Sequence, residues 1–162
     1  MRIVSNTGPI IGLAKIGMIG LLKDLAGEVL IPPFVHKELF GKTGSETPHI
    51  EKALGDFIKV VPASVLEPPQ AVLLSELDEG EKQAVALAFA LGQGVLLLID
   101  DHAGRQAARK MGVAVTGLVG LLLLAKERGL IGGVSPLFED LRQSGYWISD
   151  EIVGIAQRLA GE

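Results

Sequence analysis

The 162-residue sequence has no cysteine, which excludes disulfides, thiolate zinc sites and a cysteine nucleophile. Any metal must be held by oxygen or histidine ligands. Aromatic residues are scarce, with five Phe, one Tyr and one Trp, and asparagine occurs once, at Asn6. A basic excess is also missing: 15 Lys+Arg stand against 19 Asp+Glu, a formal charge of −4, which argues against bulk attraction to nucleic acid or anionic lipid. Charged residues make up only 21% of the chain and hydrophobic ones 48%, which excludes the profile of a disordered chain. Long apolar runs are lacking too. The uncharged stretch Ala84 to Ile99 is broken by Gly92, Gln93 and Gly94, short of the roughly 20 residues a spanning helix needs. Ser5 to Pro9 interrupt the N-terminal stretch where a signal peptide would have its apolar core. The expectation is a cytoplasmic protein without a membrane segment, folded as one domain over residues 1–162 and burying roughly 70% of its unfolded surface.

What is present alternates between strand-like and helix-like patterns. Arg2–Val4 predicts a strand. A polar turn and Pro9 open a helical stretch that is punctuated by Gly17 and closes near Gly27. Val29–Ile31 predicts a second strand feeding a helix from Pro33 to about Phe40; residues 41–48 form a polar loop, 49–56 a helix and Phe57–Val61 a third strand. The proline-rich Ala63–Pro69 predicts loop or extended chain. Asp78 predicts an N-cap for a helix to Leu91 with Gly92 as its stop. Val95–Ile99 is a continuous apolar run, the pattern of a strand covered on both faces. Helices over Ala103–Met111, Leu118–Arg128, Pro136–Gln143 and Asp150–Leu159, with a strand at Val113–Val115, complete the chain. Alternating strands and helices predict an α/β fold, a central parallel sheet flanked by helices on both sides.

Acidic residues recur where this pattern wants apolar ones. Helical spacing places Glu38 over Phe34 on an apolar face. Glu81 extends the stripe Ala84, Val85, Ala88 and Leu91 toward the helix start. Asp100 and Asp101 follow the buried strand at its carboxyl end, where open parallel sheets bind ligands, and Asn6 holds the matching place after the first strand. Each has a plainer role open to it: either Asp is able to cap the following helix, Glu81 to complement a helix dipole, Asn6 to make a turn. Four elements nonetheless each deliver an acidic or amide oxygen to one end of the sheet. Clustered carboxylates repel unless a cation neutralises them, and hard cations such as Mg²⁺ or Mn²⁺ choose oxygen ligands.

The rival chemistries are weaker. His36, His49 and His102 match no zinc spacing. Ser5, Thr7 and Ser75 lack a nucleophile elbow, and the glycines form neither a dinucleotide fingerprint nor a P-loop.

The stretches "IVSNTGPIIGLAKIG", "IPPFVHKEL", "LDEGEKQAVALA", "LLIDDHAGRQAARKMGVAVTGLVGLLLLAKERGLI" and "FEDLRQSGYWIS" together resemble the PIN domain, the nuclease fold of VapC-like toxins, and more narrowly a prokaryotic PIN-like branch. The resemblance runs over nearly the whole chain. It implies a parallel sheet wrapped by helices and an acidic pocket for Mg²⁺ or Mn²⁺, with the family's acidic positions falling on Asn6, Glu38, Glu81 and the Asp100–Asp101 pair, Asp101 being favoured by spacing. Asn6 departs from the usual Asp and removes one negative charge. The resemblance further implies an endoribonuclease acting on RNA, a cognate antitoxin, and a homodimer or higher oligomer. Arg105 and Arg109, four apart on one helix face, are candidates to meet RNA phosphates. Two alternatives stay open: a non-catalytic PIN-like module that binds RNA or protein, and a Mg²⁺-dependent phosphoryl-transfer domain, although that class puts a nucleophilic Asp where this chain has Asn6. With Glu38, Glu81, Asp100 and Asp101 offset by cations, the remaining chain is about neutral, so the acidic balance does not exclude an RNA substrate.

Overall fold

A computed structural model describes the whole chain, Met1–Glu162. Five short strands, β1 (Arg2–Ser5), β2 (Val29–Ile31), β3 (Ile58–Val60), β4 (Val95–Leu98) and β5 (Val115–Thr116), form one parallel sheet in the order β3-β2-β1-β4-β5. Parallel neighbours need crossover segments, which here are helical. These are α1 (Thr7–Lys15), α2 (Gly20–Ala26), α3 (Pro33–Leu39), α4 (Thr47–Leu54), α5 (Pro68–Leu73), α6 (Glu79–Leu91) and α7 (His102–Lys110), with α8 (Leu118–Glu127), α9 (Ser135–Gln143) and α10 (Asp150–Ala160) following the last strand.

Successive strand side chains alternate faces, and both faces are covered. Ile3, Ile31 and Leu98 join Ile10, Leu13, Leu22, Ile50, Leu121 and Phe138 in one core. Val4, Leu30, Leu97 and Ile99 turn the other way, against Ala84, Leu87 and Ala88 of α6 and Ala108 of α7. From β1 the chain steps outward through β2 to β3, then returns to the opposite flank of β1 for β4 and β5. The order therefore reverses between β1 and β4, and the carboxyl ends of those two strands border a crevice of the kind that binds ligands in open α/β sheets.

The expected α/β architecture is the observed one, and the corrections concern its edges. The first helical stretch is two helices, because Gly17 (φ 72°) stops α1 in a hydrogen-bonded turn: its N–H donates to Ala14 O at 3.1 Å and that of Met18 to Leu13 O at 2.8 Å. Helix α4 begins at Thr47, inside the expected loop, and the proline-rich segment contains α5. In both cases Pro occupies the first helical turn, where its missing donor has no partner to lose. The last strand is Val115–Thr116 rather than Val113–Val115. No helix is long and apolar enough to cross a membrane.

Candidate active site

Asn6 follows β1 directly, and its N–H donates to Leu98 O of β4 at 2.9 Å. It sits at the N-cap of α1 with extended backbone (φ −81°, ψ 176°), yet its side chain makes no capping hydrogen bond. Asp78, Asp101 and Ser149, at the same position on α6, α7 and α10, all do. The Asn6 Oδ1 is instead buried without any hydrogen-bond partner, an arrangement costing on the order of 1–3 kcal/mol unless a ligand satisfies it.

Glu38 comes to the same corner. It is half-buried on α3, as its place over Phe34 predicts, and the Thr7 hydroxyl donates to its Oε1 at 2.9 Å. The start of α3 is tied to α6, where Gln83 Oε1 accepts from the Phe34 N–H at 3.1 Å. Helices α3 and α6 thereby approach so closely at Gly80 that an added Cβ there would run into Glu38 Oε1 and stand 3.5 Å from Asn6 Oδ1. Glycine leaves open the space between an amide oxygen and a carboxylate.

Glu81, the next residue, faces Asp78 and Asp101. Partial burial first, then hydrogen bonding and charge from Asp78 and Asp101, push its carboxyl up to about 8. Asp101 also caps α7, its Oδ2 accepting from the Gly104 N–H at 2.7 Å.

Asp100 has a different environment. Its Oδ1 accepts from the Leu118 N–H at 2.8 Å, at the start of α8, and its Oδ2 accepts from the Tyr146 hydroxyl. Burial pushes its carboxyl up, against the opposing pull of the Leu118 N–H and Arg105. Arg105 turns inward, its Nη1 donating to Ile99 O at 3.2 Å and to Asp100 O, whereas Arg109 is exposed. Gly8 brings α1 toward Asp100, with room for a Cβ 3.9 Å from Oδ2.

The expected acids thus gather at one end of the sheet in three local groups: Asn6 with Glu38, Glu81 with Asp78 and Asp101, and Asp100 with Tyr146. No three Asp, Glu or His side chains close into a ready-made metal cluster. The first corner nevertheless fits a hard divalent cation, because it offers an orphaned buried oxygen, a carboxylate beside it and the space at Gly80. Among the histidines, His36 stacks edge-on against Phe40 at 5.5 Å, His102 meets Gln106 at 3.0 Å and His49 is exposed. Gly80, Gln83 and Tyr146 carry no chemical signature in sequence, and Thr7 acts as a support for Glu38.

A family model described as a PIN domain, DUF3368, matches residues 2–162, and the chain belongs to this family. PIN domains are in general nucleases and typically use divalent metals. The fold is similar to that of a PilT N-terminus domain protein from the hyperthermophilic archaeon Sulfolobus solfataricus P2, at 21% identity and a TM-score of 0.56 over 75% of this chain and 91% of that one. No curated protein matches the chain in sequence.

Proposed function

We propose that this PIN-domain chain is a Mg²⁺- or Mn²⁺-dependent endoribonuclease that hydrolyses single-stranded RNA, working in the cytoplasm as the toxin of a toxin–antitoxin pair. The observation that carries the reading is the buried, unpartnered Oδ1 of Asn6 beside Glu38, with Gly80 keeping the space between them free. Asn6 and Glu38 would hold the cation, with Asp101 supplying further charge and Glu81 adding its own once a cation displaces its proton. A bound cation lowers the pKa of an attacking water and offsets charge building on the phosphate.

The chain's own groups do the rest. Thr7 fixes the Glu38 carboxylate by its hydrogen bond. Without a cation, Glu81 is held largely protonated at neutral pH, its carboxyl pushed up to about 8 by burial and by Asp78 and Asp101, which suits it to give a proton to a leaving oxygen. Asp100, held by Leu118 N–H and Tyr146, fixes the ends of β4 and α8 around the crevice. Arg105 and Arg109 line the approach for phosphates. The antitoxin partner and a homodimer or higher oligomer belong to the same proposal, as does the action of residues 1–162 as one domain.

Incubation of the purified protein with single-stranded RNA and Mn²⁺ tests it. Cleavage is expected, lost with a chelator and in Glu38→Gln and Asp101→Asn. Cleavage that survives both substitutions overturns the assignment. The amide at position 6 favours a second reading, a PIN module that binds RNA or protein without cutting, since it leaves the pocket one charge short. Absence of Mn²⁺ binding at millimolar concentration would select that reading.

A further inference from the structure

Trp147 is the only tryptophan in the chain and is 83% exposed. Its neighbours are anchored on both sides. Tyr146 donates to Asp100 and packs on α1, where a Cβ at Gly12 would stand 3.1 Å from its ring. Ile148 is 7% exposed, and Arg142 Nε and Nη2 donate to its carbonyl at 3.1 and 2.7 Å. The Tyr146 N–H donates to Leu141 O at 2.9 Å, and Ser149 Oγ caps α10 at 3.1 Å. A pinned loop therefore holds one large indole out into solvent, where a partner can be met with little loss of conformational freedom.

Beneath the indole lies a cavity of about 360 Å³. Trp147, Leu118 and Ile152 are among its apolar lining, and Asp100, Arg105 and Ser149 form its polar side. Arg105 uses only Nη1 within the chain, so Nε and Nη2 remain available as donors. One flat aromatic face, a free guanidinium edge and an opening beside the β1–β4 crevice are the elements that recognise an unpaired nucleobase next to a phosphate. A peptide partner would use the apolar wall but has no need of the guanidinium edge or of the neighbouring acids.

We propose that Trp147 and this cavity form a nucleobase subsite, in which a base of single-stranded RNA flanking the bond to be cut stacks on the indole. The subsite rests on the nuclease reading for its substrate, but its test does not require cleavage. Because Trp147 is the sole tryptophan, intrinsic fluorescence of the full chain in EDTA reports on it directly. Titration with hexauridylate is expected to quench the emission saturably, and an abasic strand of equal length to leave it unchanged. By anisotropy of a labelled strand, Trp147→Ala should weaken binding about tenfold and Trp147→Phe should restore most of it. With Mn²⁺ present, Trp147→Ala should raise KM far more than it lowers kcat. Equal binding by wild type and Trp147→Ala, equal quenching by the abasic strand, or no quenching by RNA overturns the subsite. Quenching by RNA without any cleavage would sink the nuclease reading while leaving the subsite standing. Normal cleavage with Trp147→Ala unaltered would do the reverse.

Discussion

At the end of β1, the amide oxygen of Asn6 is buried and unpaired beside Glu38, in a space that Gly80 leaves open. At the end of the adjacent β4, both carboxylate oxygens of Asp100 are taken, one by the Leu118 N–H and one by the Tyr146 hydroxyl. The two corners border the same crevice and hold similar side chains, but their hydrogen bonding differs. A buried polar group that is satisfied stabilises the fold around it; one left unsatisfied costs stability that only a ligand returns. On the proposed function, the β1 corner is the one that would receive the cation, and the β4 corner the one that shapes its surroundings.

The sharpest way to break this contrast is Gly80→Ala. The new methyl enters the space between Glu38 and Asn6, so Mn²⁺ binding and RNA cleavage should fall by about a hundredfold or more while the thermal midpoint changes little. Calorimetry and a cleavage assay read the two effects separately. At the other corner the order reverses. Asp100→Ala leaves the Leu118 N–H and the Tyr146 hydroxyl without an acceptor and should cost about 1–3 kcal/mol in denaturant unfolding, with Tyr146→Phe costing about 1 kcal/mol. Both variants should still bind Mn²⁺ when folded. Loss of Mn²⁺ binding in Asp100→Ala at unchanged stability would erase the distinction.

Asn6→Asp should tighten Mn²⁺ binding about tenfold, and should lower the stability of the metal-free protein at neutral pH through repulsion with Glu38. The smallest effect concerns Glu81. Its folded pKa is raised, so its contribution to stability is full below the ordinary carboxylate range and is lost as pH rises through about 8. Melting curves of metal-free wild type should therefore decline between pH about 4.5 and pH about 8 relative to Glu81→Gln and run parallel above that range, and saturating Mn²⁺ should flatten the difference.

Much of this arrangement is legible in the sequence. The apolar run ending at Ile99 and the alternation of strands with helices specify a parallel sheet, and a ligand crevice at its carboxyl end places Asn6 and Asp100 from the pattern alone. Glu38 stands out because it interrupts an apolar stripe. Other parts depend on which groups meet across the fold. Asp100 and Asp101 are adjacent and chemically equal in sequence, but one is claimed by Tyr146, 46 residues away, and the other by Gly104 three residues on. A glycine at position 80 reads as a weak helix former; only the approach of α3 shows that a Cβ there would displace the Glu38 carboxylate. The prolines near residues 47–48 and 68–69 signal breaks, whereas in a first helical turn they are neutral.

Isothermal titration of Mn²⁺ into wild type, Glu38→Gln and Asp100→Asn at neutral pH tests the central contrast most directly. Saturable binding that is abolished in Glu38→Gln and retained in Asp100→Asn is the predicted result. Binding unchanged in Glu38→Gln, or lost only in Asp100→Asn, would contradict it.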